Sequence, residues 1–124
     1  MVTTAAKETR QLITAFINIH NVLGPGLQQI LYLNALETEL LRMNLPHRRL
    51  TKDNPMEQQI KNEMHPDFIA FNNIAIRILT TNCIEDEHRF DMYEILESTD
   101  FPVGVLVTFG CKRILFENVR HPRK

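Results

Sequence analysis

Gly24-Pro25-Gly26 restricts the fold of this chain more than any other stretch. Glycine accepts the left-handed backbone that ends many helices, and proline cannot continue the helical hydrogen-bond ladder. One helix must therefore stop at Gly24 and another begin after Gly26. The flanks agree. Leu12, Phe16, Ile19 and Leu23 follow at spacings of four, three and four, which predicts one helical stripe over about residues 4–23. Ile30, Leu33, Leu36, Leu40 and Met43 predict one face of a second helix over about residues 27–43, and Pro46 follows its end.

The remainder reads mostly as strands. His47 to Asp53 and Met56 to Glu63 are polar segments around Asn54-Pro55, a weak edge hairpin with Pro55 in its turn. Asp67 to Phe71 and Ile74 to Thr80 flank Asn72-Asn73, and asparagine tolerates the positive φ of a two-residue hairpin turn. Residues 85–97 predict a helix with an acidic outer face and Met92, Ile95 and Leu96 turned inward. Val103 to Phe109 is a continuous apolar run, as expected of a central strand covered on both faces. Ile114 to Phe116 makes a last strand, followed by a frayed basic tail from Arg120. The order α-α-β-β-β-β-α-β-β predicts a layered α/β or α+β fold.

At 124 residues the chain suits one domain, with its core over about 8–119 and a basic tail at 120–124. Its 44% hydrophobic and 23% charged content is ordinary for a soluble protein, and a net charge of −1 supplies no general attraction to nucleic acid. Charge is segregated: Glu85 to Asp100 holds seven acids against Arg89, and Lys112 to Lys124 holds five bases against Glu117. Such blocks read as solvated faces and permit self-association. Cys83 and Cys111 lack zinc spacing and are expected as buried free thiols. There is no leader-like opening and no apolar run of membrane-spanning length, so a cytoplasmic location with no membrane partner is expected.

The chemistry-bearing residues resemble a known pattern. His20-x-x-Leu23-Gly24-Pro25-Gly26, then Gly26-x-x-Gln29-x-x-Tyr32, then Asp67-Phe68-Ile69, Ile74 to Leu79 and Gly104 to Gly110 resemble, in order, the GxxExxY family. That family has the PD-(D/E)xK restriction-endonuclease-like fold. The resemblance, over about residues 10–119, implies a mixed central sheet of five or six strands, with two N-terminal helices and one later helix packed on it. It also implies a Mg²⁺ site: an Asp on one strand, a Glu on the next, a Lys two residues on, and a Glu from the first helical region. Carboxylate oxygens suit Mg²⁺, and period-two alternation puts the Lys on the face of the Glu.

Transferred residue by residue, that site is degenerate. Asp67 matches the metal Asp, but Gln29 replaces the helical Glu, Arg77 stands in place of the strand Glu and Leu79 in place of the Lys. Asp91 stands where the later helix has Gln. A cation beside Mg²⁺ at about 4 Å is opposed by ~4 kcal/mol or more at an effective dielectric near 20. Asp67 and Arg77 are expected to form an ion pair in place of the metal if the register puts them on one face. The resemblance thus implies a catalytically inactive domain without cofactor, acting as a binding or assembly subunit for another protein or a second copy of itself. The acidic helix, the basic tail or an edge strand would make the contact.

Two alternatives stay open. One is a Mg²⁺-dependent nuclease with relocated ligands, Asp67 and Asp91 with His88, although Lys61 and Arg89 are its only stand-ins for the lysine. The other is a non-catalytic nucleic-acid binder using Arg42, Arg48 and Arg49 beside His47 and Lys52. Few aromatic residues interleave with that cluster, so a solvated turn is favoured. His20 is expected to cap or pack at its helix end, and His65 to be exposed beside an extended Pro66. The Tyr32 ring is expected to pack, with its hydroxyl near Gln29 or the degenerate site.

Overall fold

A computed structural model describes residues 4–50 and 65–121. In chain order its elements are α1 (Thr4–Leu23), α2 (Gln29–Arg42), β1 (His47–Arg49), β2 (Phe68–Ala70), β3 (Ile74–Leu79), α3 (Asp86–Ser98), β4 (Val103–Thr108) and β5 (Leu115–Arg120). The predicted strand over Met56 to Glu63 lies outside the described residues, as do Asn54-Pro55, Lys52 and Lys61. No helix among the described residues is long and apolar enough to cross a membrane.

The five strands form one sheet in the order β1-β2-β3-β4-β5. β3 and β4 are parallel and the other neighbours antiparallel, so the sheet is mixed. A parallel pair needs a crossover, which α3 supplies. Strand alternation then divides the core between two layers. Ile74, Ile76, Ile78, Val103, Val105 and Val107 join the cluster under α1 and α2. Ile69, Ala75 and Leu106 join Met92, Ile95 and Leu96 of α3. All six residues of β4 are buried, as its unbroken apolar run predicts.

Gly104 marks the closest approach of α3 to the sheet. A Cβ there would lie 2.3 Å from Met92 Sδ and 2.6 Å from Met92 Cγ. Met92 is fully buried, so it has no solvent to swing into. Gly104→Ala is expected to cost about 1–3 kcal/mol through overpacking. Urea unfolding measures this, and an unchanged midpoint would mean that Met92 repacks freely.

Several boundaries and phases differ from expectation. Ile30 is 48% exposed, and α2 buries Tyr32, Leu36 and Leu40. The helix begins at Gln29, so a spacing of four led by Tyr32 faces the sheet. β5 continues to Arg120, where fraying is expected, because Val103 to Thr108 pairs with it along its whole length. The β2–β3 turn puts Phe71 and Asn72 at positive φ (56° and 59°), with Asn73 N–H donating to Ala70 O at 3.0 Å. The turn is thus one residue earlier than expected. Neither cysteine is buried in a strand: Cys83 is exposed and Cys111 half-buried, both in loops.

Candidate functional site

The Gly-Pro-Gly break and the aromatic residues around it form one unit. Gly24 and Gly26 both take positive φ (71° and 89°), the backbone glycine adopts without a Cβ penalty. The fully buried Tyr32 hydroxyl holds the loop between them. It donates to Gly24 O at 2.5 Å and accepts from Leu27 N–H at 3.2 Å. The hydroxyl therefore serves the loop, and the Gln29 amide has a different partner, the Ile78 carbonyl. The Tyr32 ring stacks on Phe109, with centroids 4.7 Å apart and planes at 12°. His20 packs against Phe109 at 5.9 Å, and its Nε2 hydrogen-bonds the Cys111 carbonyl at 2.8 Å. His20 therefore has a packing role, joining α1 to the β4–β5 turn.

The other positions of the pattern meet at the end of β3. Phe68 pairs with Ile76, so one step further Asp67 stands opposite Arg77. Alternation puts both on the α3 face of the sheet, with Leu79. No Asp67–Arg77 salt bridge forms among the described residues, which corrects the expected ion pair. The Asp67 carboxylate instead accepts the Ile78 N–H at 2.7 Å. Gln29, the first residue of α2, donates through Nε2 to the Ile78 carbonyl at 2.7 Å. Ile78 pairs with Val107 of β4, but on its other side it lies beyond the β2 pairing, which stops at Phe68–Ile76. Asp67 and Gln29, from opposite layers, satisfy both of its polar groups.

The electrostatics match this geometry. Burial pushes the Asp67 carboxyl above its ordinary value, and the Ile78 N–H and the charges of Arg77, His65 and Arg49 only partly offset it. Arg77 Nε is buried and has no hydrogen-bond partner among the described residues. A carboxyl whose value is raised on folding destabilises the fold wherever it is ionised. That contribution is absent below the unfolded value, about 3.9, and grows as pH rises through the folded one. Asp67→Asn keeps an oxygen for the Ile78 N–H. It is expected to melt above the wild type at pH 7, with the gap closing as pH falls toward 4. A wild type more stable than the variant at pH 7 would reverse this assignment.

The remaining candidates do not gather here. His88 is held at the start of α3, where its Nδ1 accepts the Glu85 N–H at 2.9 Å while the Glu85 side chain caps the helix. Asp91 is half-buried on α3. Among the described residues no three His, Cys, Asp or Glu side chains converge as a metal-ligating set. Arg89 binds Glu117 at 2.5 and 2.9 Å and Asp86 at 2.7 Å, so its guanidinium links α3 to β5. Arg42 binds Glu39, and with Asn18 it holds that carboxyl down at about 2. Arg49 binds Asn34 and Glu37 of α2. Arg48 alternates to the opposite sheet face, so the three arginines do not make one patch. His65 is half-buried, with Nδ1 near the Pro66 carbonyl at 2.9 Å.

The backbone of Ile78 and the ring of Phe109 were not singled out from the sequence. Phe109 ends the apolar run of β4, a usable signal; a backbone group carries none. The three-layer arrangement, the mixed sheet and the meeting of α2, β2 and β3 at one point define a restriction-endonuclease-like fold. The profile of the PD-(D/E)XK nuclease superfamily matches residues 6–120, and the chain belongs to that superfamily. No curated protein and no solved structure gives a significant match.

Proposed function

We propose that this domain is a catalytically inactive nuclease relative, a degenerate member of the GxxExxY family, that serves as a protein-binding or assembly subunit. The double capture of Ile78 by Asp67 and Gln29 carries this reading. The residues present do not fit Mg²⁺. The one carboxylate at the matching positions is half-buried and engaged by the Ile78 N–H, a guanidinium faces it, and Leu79 supplies no proton or charge. No hydrolytic step can be derived through such a set.

An exposed edge supports the binding part of the reading. Among the described residues β5 has a strand neighbour on one side only. Leu115 and Phe116 on it are 37% and 42% exposed, and Phe90 and Tyr93 on α3 are 66% and 40% exposed. Arg89 reaches Glu117 and Glu97 reaches His121, so Tyr93, one turn from each, lies beside the same edge. A strand edge flanked by large apolar side chains suits strand addition by a protein partner.

Incubation of the protein with plasmid and single-stranded DNA, with Mg²⁺ or Mn²⁺, tests the inactive reading. The expected result is no cleavage. Cleavage abolished by Asp67→Ala overturns it and restores the relocated-ligand nuclease. Salt-dependent retention of DNA without cleavage favours the nucleic-acid binder. Capture of a partner from the native host, lost in Phe116→Asp, is the expected result for the binding edge.

A further inference from the structure

A cavity of about 340 Å³ lies under the first turns of α1, at the opposite end of the sheet from Asp67. Its walls are Thr9, Arg10 and Ile13 of α1, Val103 of β4, and Asn118 and Arg120 of β5. Val103 pairs with Ile74, four residues before Ile78, which separates the cavity from the degenerate site by about 13 Å along the strands. The spacing builds the cavity. Residues 9, 10 and 13 share one side of α1. Asn118 and Arg120 alternate to the α1 side of β5, because Val119 between them packs in the α3 layer.

The cavity sets two cations against an apolar floor. Neither the Arg10 nor the Arg120 guanidinium meets a carboxylate or any other side-chain partner among the described residues. By contrast, Arg42, Arg49 and Arg89 are each bound to an acid. Among the described residues no acidic residue lines the cavity. Two like charges on one concavity repel, and an anion between them removes that repulsion. Guanidinium forks match phosphate oxygens bidentately, and two of them balance the nearly doubly negative charge of a phosphomonoester at neutral pH. A single carboxylate would leave one cation unbalanced. Thr9 and Asn118 add neutral hydrogen-bonding groups at the rim. A bare phosphate would leave most of the volume and the Ile13–Val103 floor uncovered, whereas a body of nucleoside size covers them.

We propose that this cavity is a binding site for an organic phosphomonoester, with Arg10 and Arg120 gripping the phosphate and Ile13 and Val103 seating the body. The ligand chemistry has two sources, a free nucleotide or the 5′-phosphate end of a nucleic-acid strand. The proposal stands apart from the inactive-nuclease reading, because it uses none of the residues around Ile78.

Calorimetric titration of the full chain at low salt tests it. The probes are adenosine monophosphate, adenosine, inorganic phosphate, and a short oligonucleotide with a 5′-phosphate or a 5′-hydroxyl. The phosphorylated nucleoside or the phosphorylated strand is expected to bind at least about tenfold more tightly than its unphosphorylated counterpart. Whichever of the two binds identifies the source. Arg10→Gln and Arg120→Gln are each expected to weaken that binding about tenfold, and the double variant to abolish it. Both side chains are exposed, so the variants fold, which their melting curves verify. Arg113→Gln, in the β4–β5 turn at the far end of the sheet, is the charge control and is expected to bind as the wild type does. Equal affinity with and without the phosphate overturns the proposal. So does inorganic phosphate binding as tightly as the nucleotide, unchanged affinity in the double variant, an equal loss in Arg113→Gln, or no binding of any probe.

Discussion

Phe109→Ala is expected to lower the unfolding free energy by about 3–5 kcal/mol. The ring is fully buried and central to its cluster. Tyr32 stacks on it at 4.7 Å, Phe16 meets it edge-on at 6.4 Å and 89°, and His20 packs against it at 5.9 Å. Truncation leaves a cavity shared by α1, α2 and β4, which α1 and α2 cannot close while the Gly24–Gly26 loop fixes their junction. Tyr32→Phe separates the two contributions. It keeps the stacked ring and removes only the hydroxyl that donates to Gly24 O, and is expected to cost about 1–2 kcal/mol. Urea unfolding of both variants measures the difference. A loss below about 1 kcal/mol for Phe109→Ala would show that the ring is not the hub of the helical layer.

Arg77→Glu is expected to have the second large effect, and one that a metal reverses. Directly opposite positions on antiparallel strands hold their Cβ atoms about 5 Å apart. Two carboxylates there repel by about 3 kcal/mol at an effective dielectric near 20, and the attraction of the arginine is lost as well. Without divalent cations the variant should melt well below the wild type. The same two acids form a hard oxygen pair, so Mn²⁺ or Mg²⁺ should raise its melting temperature while leaving the wild type unchanged. A variant insensitive to metal would mean that the Ile78 N–H keeps Asp67 turned away from the shared face. Metal-dependent stabilisation of the wild type would instead contradict the inactive reading.

Much of the fold was legible because its determinants are local and periodic. The spacings in α1, the Gly-Pro-Gly stop, the unbroken run of β4 and the inward set of Met92, Ile95 and Leu96 each follow from neighbours within a turn or two. The misreadings share another cause. Spacing alone places Ile30 on the buried face of α2, but helix phase depends on what the helix packs against, and Tyr32 stacks on Phe109. The β2–β3 turn moved by one residue to Phe71, since Asn72-Asn73 permits a turn without setting its register. β5 ran past its apolar residues, because its length comes from pairing with β4.

The residue types at the matching positions are legible without the fold. Gln29, Arg77 and Leu79 are facts of composition, and no arrangement of this backbone turns them into a carboxylate pair and a lysine. What these residues touch follows from packing between distant segments. Gln29 reaches Ile78 across the helix–sheet interface, Asp67 bonds a backbone N–H and not its facing arginine, and Arg10 and Arg120 line a common cavity. Such outcomes rest on contacts between distant segments, often to backbone groups that every residue carries alike. Packing decides which of those groups need a partner and which side chains stand close enough to supply one.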